Sequence, residues 1–548
     1  MGRYLITAAL PYSYSVPHLG NFVGSVLPAD VYHKYLKMRG DDAIYVCGSD
    51  QHGTPTELAA IKAGVAPEVL ADEMHEKIKK LFEKYECTFT YYGKTNTPEN
   101  KGVVYSIFNE LYNNGYLLER EDMQAYCNVD ERFLTDRLIE GTCPYCHKRN
   151  ARGDQCDNCG RLLEPAQIKD PFCAICGKSE IRFVKTKNLA LELNKLQGDI
   201  AKFIKKTSKN NWSKDAVNKS LSMIKEGLKP RDITRNMKWG FPVPLVGYEN
   251  SVIYVWITGL IGYIGITKQW DSKRWRDYWQ NEHTQLIQFL GKDNTIFHTI
   301  IWPGMAMGSR LGFILPHTIK ESQFLVSKTL KFSKSHGVGL NMKTAIEILG
   351  ADYWRFSLMY MYPENADSEF SERALVETVN TIMNDKIGNL AQRVLKLSKS
   401  NRSLIEEEIP STKDPKVRRI IKEYEAAFDK LQLKKAIGAV VKLAELGNSI
   451  MSDREPWVLA KNAKSDAKAE RQVREIFSEL LSITYQLGIL LYPFTPRASA
   501  ELLSYFGIRS EPTSAMLNDK IRPKLDSDPK PIFQKITDKE TESLRKYS

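Results

Sequence analysis

Three groups of residues have the types and spacing of chemistry. In Pro17-His18-Leu19-Gly20-Asn21 a histidine and an asparagine stand three residues apart where a helical pattern begins. They would share one helical face, at a helix end whose unpaired N–H groups favour anions, and Gly20 would admit a ligand close to the backbone. The same residues also fit a polar cap on a surface helix. Lys331-Phe332-Ser333-Lys334-Ser335, followed by His336-Gly337-Val338-Gly339, sets two lysines and two hydroxyls on a glycine-flanked loop. That loop suits a triphosphate, because two ammonium groups can neutralise charge on a departing pyrophosphate; it equally suits a solvated surface. Cys143-x-x-Cys146 and Cys156-x-x-Cys159 supply four thiolates across a short loop, a structural zinc pattern.

These groups need elements to hold them. Tyr4 to Leu10 and Ala43 to Val46 are apolar runs that read as buried strands, while Phe22 to Met38 and Pro67 to Tyr85 are apolar at helical spacing. Their alternation predicts an α/β domain with a parallel sheet, His18 lying at the first strand-to-helix turn. From about 118 to 232 the pattern breaks into a cysteine- and turn-rich stretch and then a lysine-heavy helical one. Strand-like runs return in Val252 to Trp256, Gln285 to Phe289 and Thr299 to Trp302, so one α/β domain is expected to be split by an insertion. After about 371, helical patterns (Ala374 to Lys396, Val417 to Phe428, Lys434 to Leu446, Glu470 to Leu490) predict a bundle, and the polar stretch from Asn518 reads as loosely structured.

The 548 residues are 42% hydrophobic and carry a net charge of +12. That composition supports several sizeable cores, and the charge favours a polyanionic partner such as nucleic acid. No secretory signal is recognisable, since the first apolar run breaks at Pro11, and the uncharged apolar stretch Ser251 to Thr267 is too short for a membrane span. A cytoplasmic protein without membrane association is expected. In that reducing compartment paired cysteines point to metal rather than disulfides, and the solitary Cys47 and Cys87 read as packing residues.

Pro17 to Asn21 is similar to the HIGH signature of class I aminoacyl-tRNA synthetases, and Lys331 to Ser335 resembles its KMSKS partner. Ala9-Leu10-Pro11-Tyr12, Cys47 to Pro55, Arg231 to Arg235, Tyr254-Val255-Trp256, Ile261-Gly262-Tyr263, Gly291-Lys292-Asp293 and Phe297-His298 resemble, in order, the blocks of the methionyl-tRNA synthetase family, of the two-knuckle archaeal and eukaryotic-like type. The resemblance runs from about Arg3 to Lys535. It implies a Rossmann-like parallel-sheet catalytic domain split by a zinc-knuckle insertion and followed by an α-helical anticodon-binding bundle. The boundaries expected are 1–117 and 233–322 for the catalytic halves, 118–232 for the insertion, 323–371 for a stem-contact region, 372–533 for the bundle and 534–548 for a terminal peptide.

The resemblance also implies the chemistry: ATP activates L-methionine, which passes to tRNA(Met). No enzyme nucleophile is needed, so positioning and charge stabilisation can supply most of the rate. By family position the catalytic residues are His18, Asn21, Lys331 and Lys334, and ATP would also meet Gly20, Gly291, Asp293 and Ser333, with Mg²⁺. Asp50 would hold the methionine ammonium, and Leu10, Tyr12, Trp256, Leu260, Tyr263, Phe297 and His298 would surround a thioether that gains from aromatic contact. Asn389, Arg393 and Trp457 match the anticodon-reading positions, where a tryptophan stacks on an unpaired base and polar neighbours bond its edge. Related two-knuckle enzymes carry a second four-cysteine set, whose counterpart here is Cys127, Asp130, Cys173 and Cys176. Carboxylate oxygen is an acceptable zinc ligand, so one or two zinc ions are expected. The enzyme is expected to be a monomer.

Three departures accompany the resemblance. The second histidine of HIGH is Asn21, the methionine of KMSKS is Phe332, and a family block Trp-x-Asp-Ala-Pro reads Trp256-Ile257-Thr258-Gly259-Leu260. Two other readings stand beside it. A synthetase for Leu, Ile or Val would share the signatures but carries a large editing insertion, because a pocket separates apolar side chains by only about 1–3 kcal/mol per methylene. A non-catalytic zinc-ribbon RNA-binding protein would account for charge and cysteines but not for Asp50 or the Lys331 loop.

Overall fold

Five parallel strands form the central sheet: β1 (Arg3–Ala8), β2 (Asp42–Ser49), β3 (Tyr91–Lys94), β4 (Thr284–Gly291) and β5 (Thr318–Ser322), in the order β5-β4-β1-β2-β3. In this computed structural model the described residues are all except Met1, 136–137, 150, 154–155, 157–162, 164, 328–329, 332–339, 413, 464–465 and 547–548, with Leu330 and Lys331 described in backbone only. Cys159, Ser333 and Lys334 therefore lie outside them. Strand order reverses at β1, whose neighbours are β2 on one side and β4 on the other. The chain must leave β1 and β4 in divergent directions, which opens a crevice at their carboxyl ends.

The first helix starts at Leu19 and continues to Arg39 through a wide π stretch, Phe22–Val26, ending on Gly40 with φ 87°. Pro28 lacks an N–H and its ring would strike the carbonyl four residues back; the π stretch just before it loosens that turn. The same device recurs at Phe297–Ile301, ahead of Trp302-Pro303. Thr299 to Trp302, expected as a strand, is therefore helical. A short β-branched apolar run cannot be told from a buried helix by periodicity, and Thr299, Ile300, Ile301 and Trp302 are all buried.

Val252 to Trp256 is likewise corrected. Only Val252–Ile253 is a strand, paired with Thr234–Arg235, and the chain turns at Tyr254 into the helix Val255–Trp270. Gly259, Gly262 and Gly265 lie on its contact face, where a Cβ would stand 2.9 Å from Asp50 Oδ2, 2.8 Å from Thr95 Cγ2 and 2.5 Å from Asn100 Oδ1. The three glycines let this helix lie directly against the ends of β2 and β3.

The inserted segment opens with an antiparallel ribbon, Leu117–Cys127 against Ile181–Leu191, with the cysteine clusters at its far end around a small core that includes Leu134, Leu138, Ile139 and Ile168. Arg132 reaches Glu57 at 3.1 Å, tying this end to the helix Thr54–Ala63. The helix Leu193–Thr207 that follows packs Leu193, Leu196 and Ile200 into the same core as Leu286 and Ile319 of the sheet.

Beyond residue 371 the helices are longer than their apolar patterns: Glu372–Ser400 with a π stretch at Thr378–Gly388, Pro415–Asp429, Leu433–Arg454 and Ala467–Leu491. The end of the chain also differs from expectation, since Asp538–Arg545 forms a helix capped by Thr537 and Glu540. Bundle and sheet share one core, in which Tyr35 stacks on Phe428 at 4.0 Å. Arg355, fully buried, lies 2.7 Å from Asp30 and donates to the carbonyls of Tyr85, Pro493 and Phe494. No helix is long and apolar enough to cross a membrane among the described residues.

Candidate active site and metal centres

The crevice at the strand ends is a cavity of about 320 Å³. Its first wall is the His18 turn. His18 Nδ1 accepts the Asn21 N–H at 3.0 Å, and Asn21 Oδ1 accepts the His18 N–H at 3.3 Å. This reciprocal cap satisfies two helix-end donors. It also assigns the imidazole proton to Nε2, making His18 a neutral donor, and it leaves the Asn21 NH₂ as the donating end of that side chain. The expectation that both side chains simply face a ligand is thus refined: each first holds the other. The HIGH-like asparagine can perform this cap as well as a histidine, because the cap needs only an acceptor.

The opposite rim carries Gly291, the last residue of β4, with Asp293 and Asn294 just past it, and then Gln323, Phe324 and Leu325, just past β5. Leu340 O accepts the N–H of Leu19 at 3.1 Å and Pro17 O accepts that of Met342 at 3.0 Å. Lys331 ends a short strand paired with Leu325–Ser327. The chain thus reaches Lys331 beside the rim strand Leu325–Ser327 and is described again at Leu340, beside the His18 turn.

Asp50 lies deepest. Its backbone bridges to Tyr12 just past β2, its N–H donating to Pro11 O and its carbonyl accepting from Ser13. Burial pushes its carboxyl up to about 7, against the lowering effect of hydrogen bonds from Thr95 Oγ1 and the His52 backbone. No cation stands against it among the described residues, so the carboxylate is able to take a cation from outside.

Around Asp50 the aromatic residues enclose one end of the cavity. Trp256 stacks on Phe297 at 4.2 Å and 14°, and Tyr12 meets Trp256 edge-on at 6.3 Å. Tyr263 Oη lies 3.0 Å from His298 Nε2, while His298 Nδ1 lies 2.9 Å from Asn294 O. A carbonyl only accepts, so Nδ1 carries the proton and Nε2 takes the tyrosine's. Burial brings the His298 pKa down to about 4, which keeps the ring neutral. Leu10 and Leu260 complete this end. At the departure from the family block, Thr258 donates to Val255 O and faces His52 Nδ1 at 3.4 Å, outside the cavity lining.

The cavity thus gathers His18, Gly20, Asn21, Leu10, Tyr12, Asp50, Trp256, Leu260, Tyr263, Gly291, Asp293, Phe297 and His298. Sequence reasoning missed Gly259, Gln323, Phe324 and Thr95. Gln323 and Thr95 immediately follow strand ends, the position where open α/β sheets hold ligands, so strand assignment could have found them.

Cys127, Asp130, Cys173 and Cys176 place one ligand atom each within 4.8 Å of one another, as do Cys143, Cys146 and Cys156. The Sγ atoms of Cys127 and Cys176, and those of Cys146 and Cys156, are 3.7 Å apart. A tetrahedral zinc with Zn–S near 2.3 Å requires a sulfur–sulfur edge of about 3.8 Å, so both clusters have the dimensions of a zinc site. Cys159 lies outside the described residues. The solitary Cys47 and Cys87 are buried.

At the bundle, Asn389 and Arg393 lie one turn apart on the exposed face of Asn389–Ser400. The Arg393 guanidinium lies over the Trp457 ring at 5.6 Å. Trp457 sits in the first turn of Pro456–Asn462, after Glu455 turns the chain with φ 38°.

Residues 4–395 match the model of the tRNA synthetases class I (M), and residues 407–547 that of the anticodon binding domain of methionyl tRNA ligase. The chain is 39% identical over 555 residues to the methionine–tRNA ligase of Caldivirga maquilingensis, covering 99% of this chain and 93% of that one. It is 39% identical over 559 residues to that of Pyrobaculum islandicum, covering 100% and 96%. Its fold is similar to Mycobacterium tuberculosis methionyl-tRNA synthetase bound by methionyl-adenylate, with a TM-score of 0.78 at 22% identity over 97% of this chain and 100% of that one. With this identity along its whole length, and with matching models in both halves, the chain belongs to the methionine–tRNA ligases, class I aminoacyl-tRNA synthetases.

Proposed function

We propose that this chain activates L-methionine with ATP and transfers the methionyl group to tRNA(Met) in the cytoplasm, acting as a monomer. The observation that carries the reading is the cavity itself. A buried carboxylate with no cation against it among the described residues, an aromatic enclosure and the donors of His18 and Asn21 converge at the strand-order reversal. The family's catalytic halves (1–117, 233–322), insertion (118–232), stem-contact region (323–371), bundle (372–533) and terminal peptide (534–548) are the proposed division of the chain.

In the first step a methionine carboxylate oxygen attacks the α-phosphorus of ATP. The new P–O bond forms as the bond to the β-phosphate oxygen breaks, and pyrophosphate leaves with that electron pair. Asp50 holds the ammonium, which directs the carboxylate toward the His18 turn, and Trp256, Phe297 and Tyr12 cover the thioether. His18 Nε2–H and the Asn21 NH₂ donate to phosphate oxygens, and Lys331 and Lys334 stabilise the negative charge that grows on the leaving group. Mg²⁺, when bound with ATP, would neutralise further phosphate charge. In the second step a terminal ribose hydroxyl of the tRNA attacks the methionyl carbonyl carbon and AMP leaves.

Asn389, Arg393 and Trp457 are proposed to read the anticodon, the indole stacking on a base and the two polar side chains bonding its edge. The arginine already stacked on the indole supports this, since it presents a ready cation–π platform. Two zinc ions are proposed, one held by Cys143, Cys146, Cys156 and Cys159 and one by Cys127, Asp130, Cys173 and Cys176. Amino-acid-dependent ATP/pyrophosphate exchange across all twenty amino acids tests the central claim. Methionine alone should support rapid exchange, and equal exchange with leucine or isoleucine would overturn it.

A further inference from the structure

Asp50 is the first residue past β2 and Thr95 the first past β3. The two strands pair in parallel with Ser49 opposite Lys94, so both residues leave the sheet side by side. The Thr95 N–H extends the ladder by donating to Ser49 O at 3.1 Å. Its hydroxyl is fully buried and meets two groups: Oγ1 lies 3.0 Å from the Gln51 backbone nitrogen and 3.3 Å from Asp50 Oδ1. A backbone N–H only donates, and a hydroxyl has one proton to give. The oxygen therefore accepts from Gln51, and the proton goes to Asp50 Oδ1.

Thr95 has little freedom to do otherwise. Its carbonyl accepts from Asn100 Nδ2 at 2.7 Å and from the Thr97 N–H at 3.1 Å. Asn100 also donates to Thr258 O at 3.4 Å, which ties the exit of β3 to the helix Val255–Trp270. Gly262 of that helix lies so near that a Cβ there would stand 2.8 Å from Thr95 Cγ2. Methyl packing and the Gln51 bond together fix χ1 of this β-branched side chain, and with it the aim of the hydroxyl.

The second carboxylate oxygen has different surroundings. A Cβ at Gly259 would stand 2.9 Å from Asp50 Oδ2 but 3.9 Å from Oδ1, and Gly259 lines the cavity whereas Thr95 is buried outside its lining. Oδ2 thus borders the glycine face of the cavity while Oδ1 is held from behind. The titratable groups packed around the pair are Tyr12 from the turn after β1, Cys47 from β2, Tyr263 from the helix and His52 two residues on, with His298 in the same cavity. Burial raises Cys47 to about 12 and Tyr263 well above its ordinary value, and it brings both histidines down to about 4. These four keep one charge state near neutral pH. Lys94, beside Thr95 in the chain, is paired with Asp72 at 2.7 Å.

We propose that Thr95 is a positioning residue for methionine, whose hydroxyl holds Oδ1 of Asp50 and so presents Oδ2 to the ammonium of the amino acid. This rests on the reading of Asp50 given above and assigns the ammonium to one of its oxygens. Thr95 touches no substrate and acts through the carboxylate, both by fixing its rotamer and by donating to its ionised form, which that form favours.

The test compares, in the full chain, Thr95→Val, which keeps the shape and removes the hydroxyl, with Thr95→Ser, which keeps the hydroxyl and removes the methyl. Two competitive inhibitors of methionine-dependent pyrophosphate exchange separate the ends of the amino acid. L-Methioninol has the ammonium without the carboxylate, and γ-methylthiobutyrate has the carboxylate without the ammonium. Thr95→Val should raise the methionine KM and the methioninol Ki by about tenfold or more at pH 7, the scale of a hydrogen bond to a charged group. The γ-methylthiobutyrate Ki, KM for ATP and kcat should stay within about threefold of the parent, the mark of a lost ground-state contact at the ammonium alone. The pH at which methionine KM begins to rise on acidification should move upward, because the ionised carboxylate has lost a donor. Thr95→Ser should bring both inhibitors and the pH profile back to within about threefold of the parent. Equal weakening of the two inhibitors by Thr95→Val, weakening of neither, or a serine variant as impaired as the valine one would each overturn the role of the Thr95 hydroxyl and leave the Asp50 reading intact. An unchanged methioninol Ki in Asp50→Asn would remove the Asp50 reading itself, and the proposal with it.

Discussion

The carbonyl of Leu340 accepts the backbone N–H of Leu19 at 3.1 Å. Together with the bond from Met342 N–H to Pro17 O, it joins the chain that follows the lysine loop to the turn that carries His18. The Leu19 N–H is one of the donors that a helix start leaves without an intrahelical partner, so the loop's return satisfies the turn while the turn anchors the loop. The backbone at Lys331, paired with the strand at the cavity rim, and the turn at His18 are thereby brought to the same cavity, although more than three hundred residues separate them in the chain.

Lys334→Ala should act on the transition state. The rate constant for pyrophosphate exchange should fall by about a hundredfold or more, the scale of losing one charge-stabilising group, with a much smaller rise in KM for ATP. Steady-state exchange at varied ATP measures both terms, and a pure rise in KM would contradict the role.

Methionine use should depend on pH through Asp50. Its folded carboxyl is raised by burial to about 7, and an ammonium partner binds the ionised form. Affinity should be full above that value and should fall as pH drops through it, by up to about tenfold per unit. The same linkage makes the unliganded protein lose stability as pH rises from the ordinary carboxylate range to about 7, because charging a buried carboxylate is costly. Methionine KM from pH 5.5 to 8.5 reads the first effect, and Asp50→Asn should raise KM and flatten the profile.

Gly259→Ala should weaken methionine binding. The added Cβ would stand 2.9 Å from Asp50 Oδ2, so the carboxylate must swing away from its place beside Thr95. An increase of about tenfold in KM with kcat nearly unchanged is expected, a loss of ground-state binding; an unchanged KM would show that Asp50 has room to move.

Arg355→Met should cost about 3–5 kcal/mol of stability, the usual penalty for removing one member of a buried ion-pair network. Burial tends to raise the Asp30 carboxyl, but Lys34 and Arg355 outweigh it and hold the group down at about 2. Its contribution is present above the unfolded carboxylate range and is lost as pH falls toward 2. Urea unfolding at pH 7 and pH 4 should show the parent's advantage at both.

Metal analysis of protein purified without chelator should find two zinc ions per chain. The cluster containing Asp130 should release its ion first to a chelator, since a harder oxygen ligand replaces one thiolate, and more readily at acid pH, where protons compete for the ligands. Cys173→Ser should reduce the content to one; a content of one in the parent, unaltered by Cys173→Ser, would eliminate the second site.

Much of this protein follows from its sequence alone. The apolar runs at Tyr4 and Ala43, the helical spacing after Phe22, the Cys-x-x-Cys pairs and the two signature loops establish an α/β sheet, an insertion, a helical region and a set of candidate residues, because periodicity and ligand spacing are local properties. Tertiary structure decided the rest. Thr299 to Trp302 is helical because the π stretch before Pro303 and burial on all sides override its strand-like composition. Asp50 has a raised pKa only because β2, β3 and the glycine face of Val255–Trp270 close around it. Nothing near Glu364 in the sequence marks it as a link between Lys320 and Leu433. Those properties arise from contacts between residues remote in the chain, and desolvation, shared hydrogen bonds and close approach exist only once the fold has brought them together.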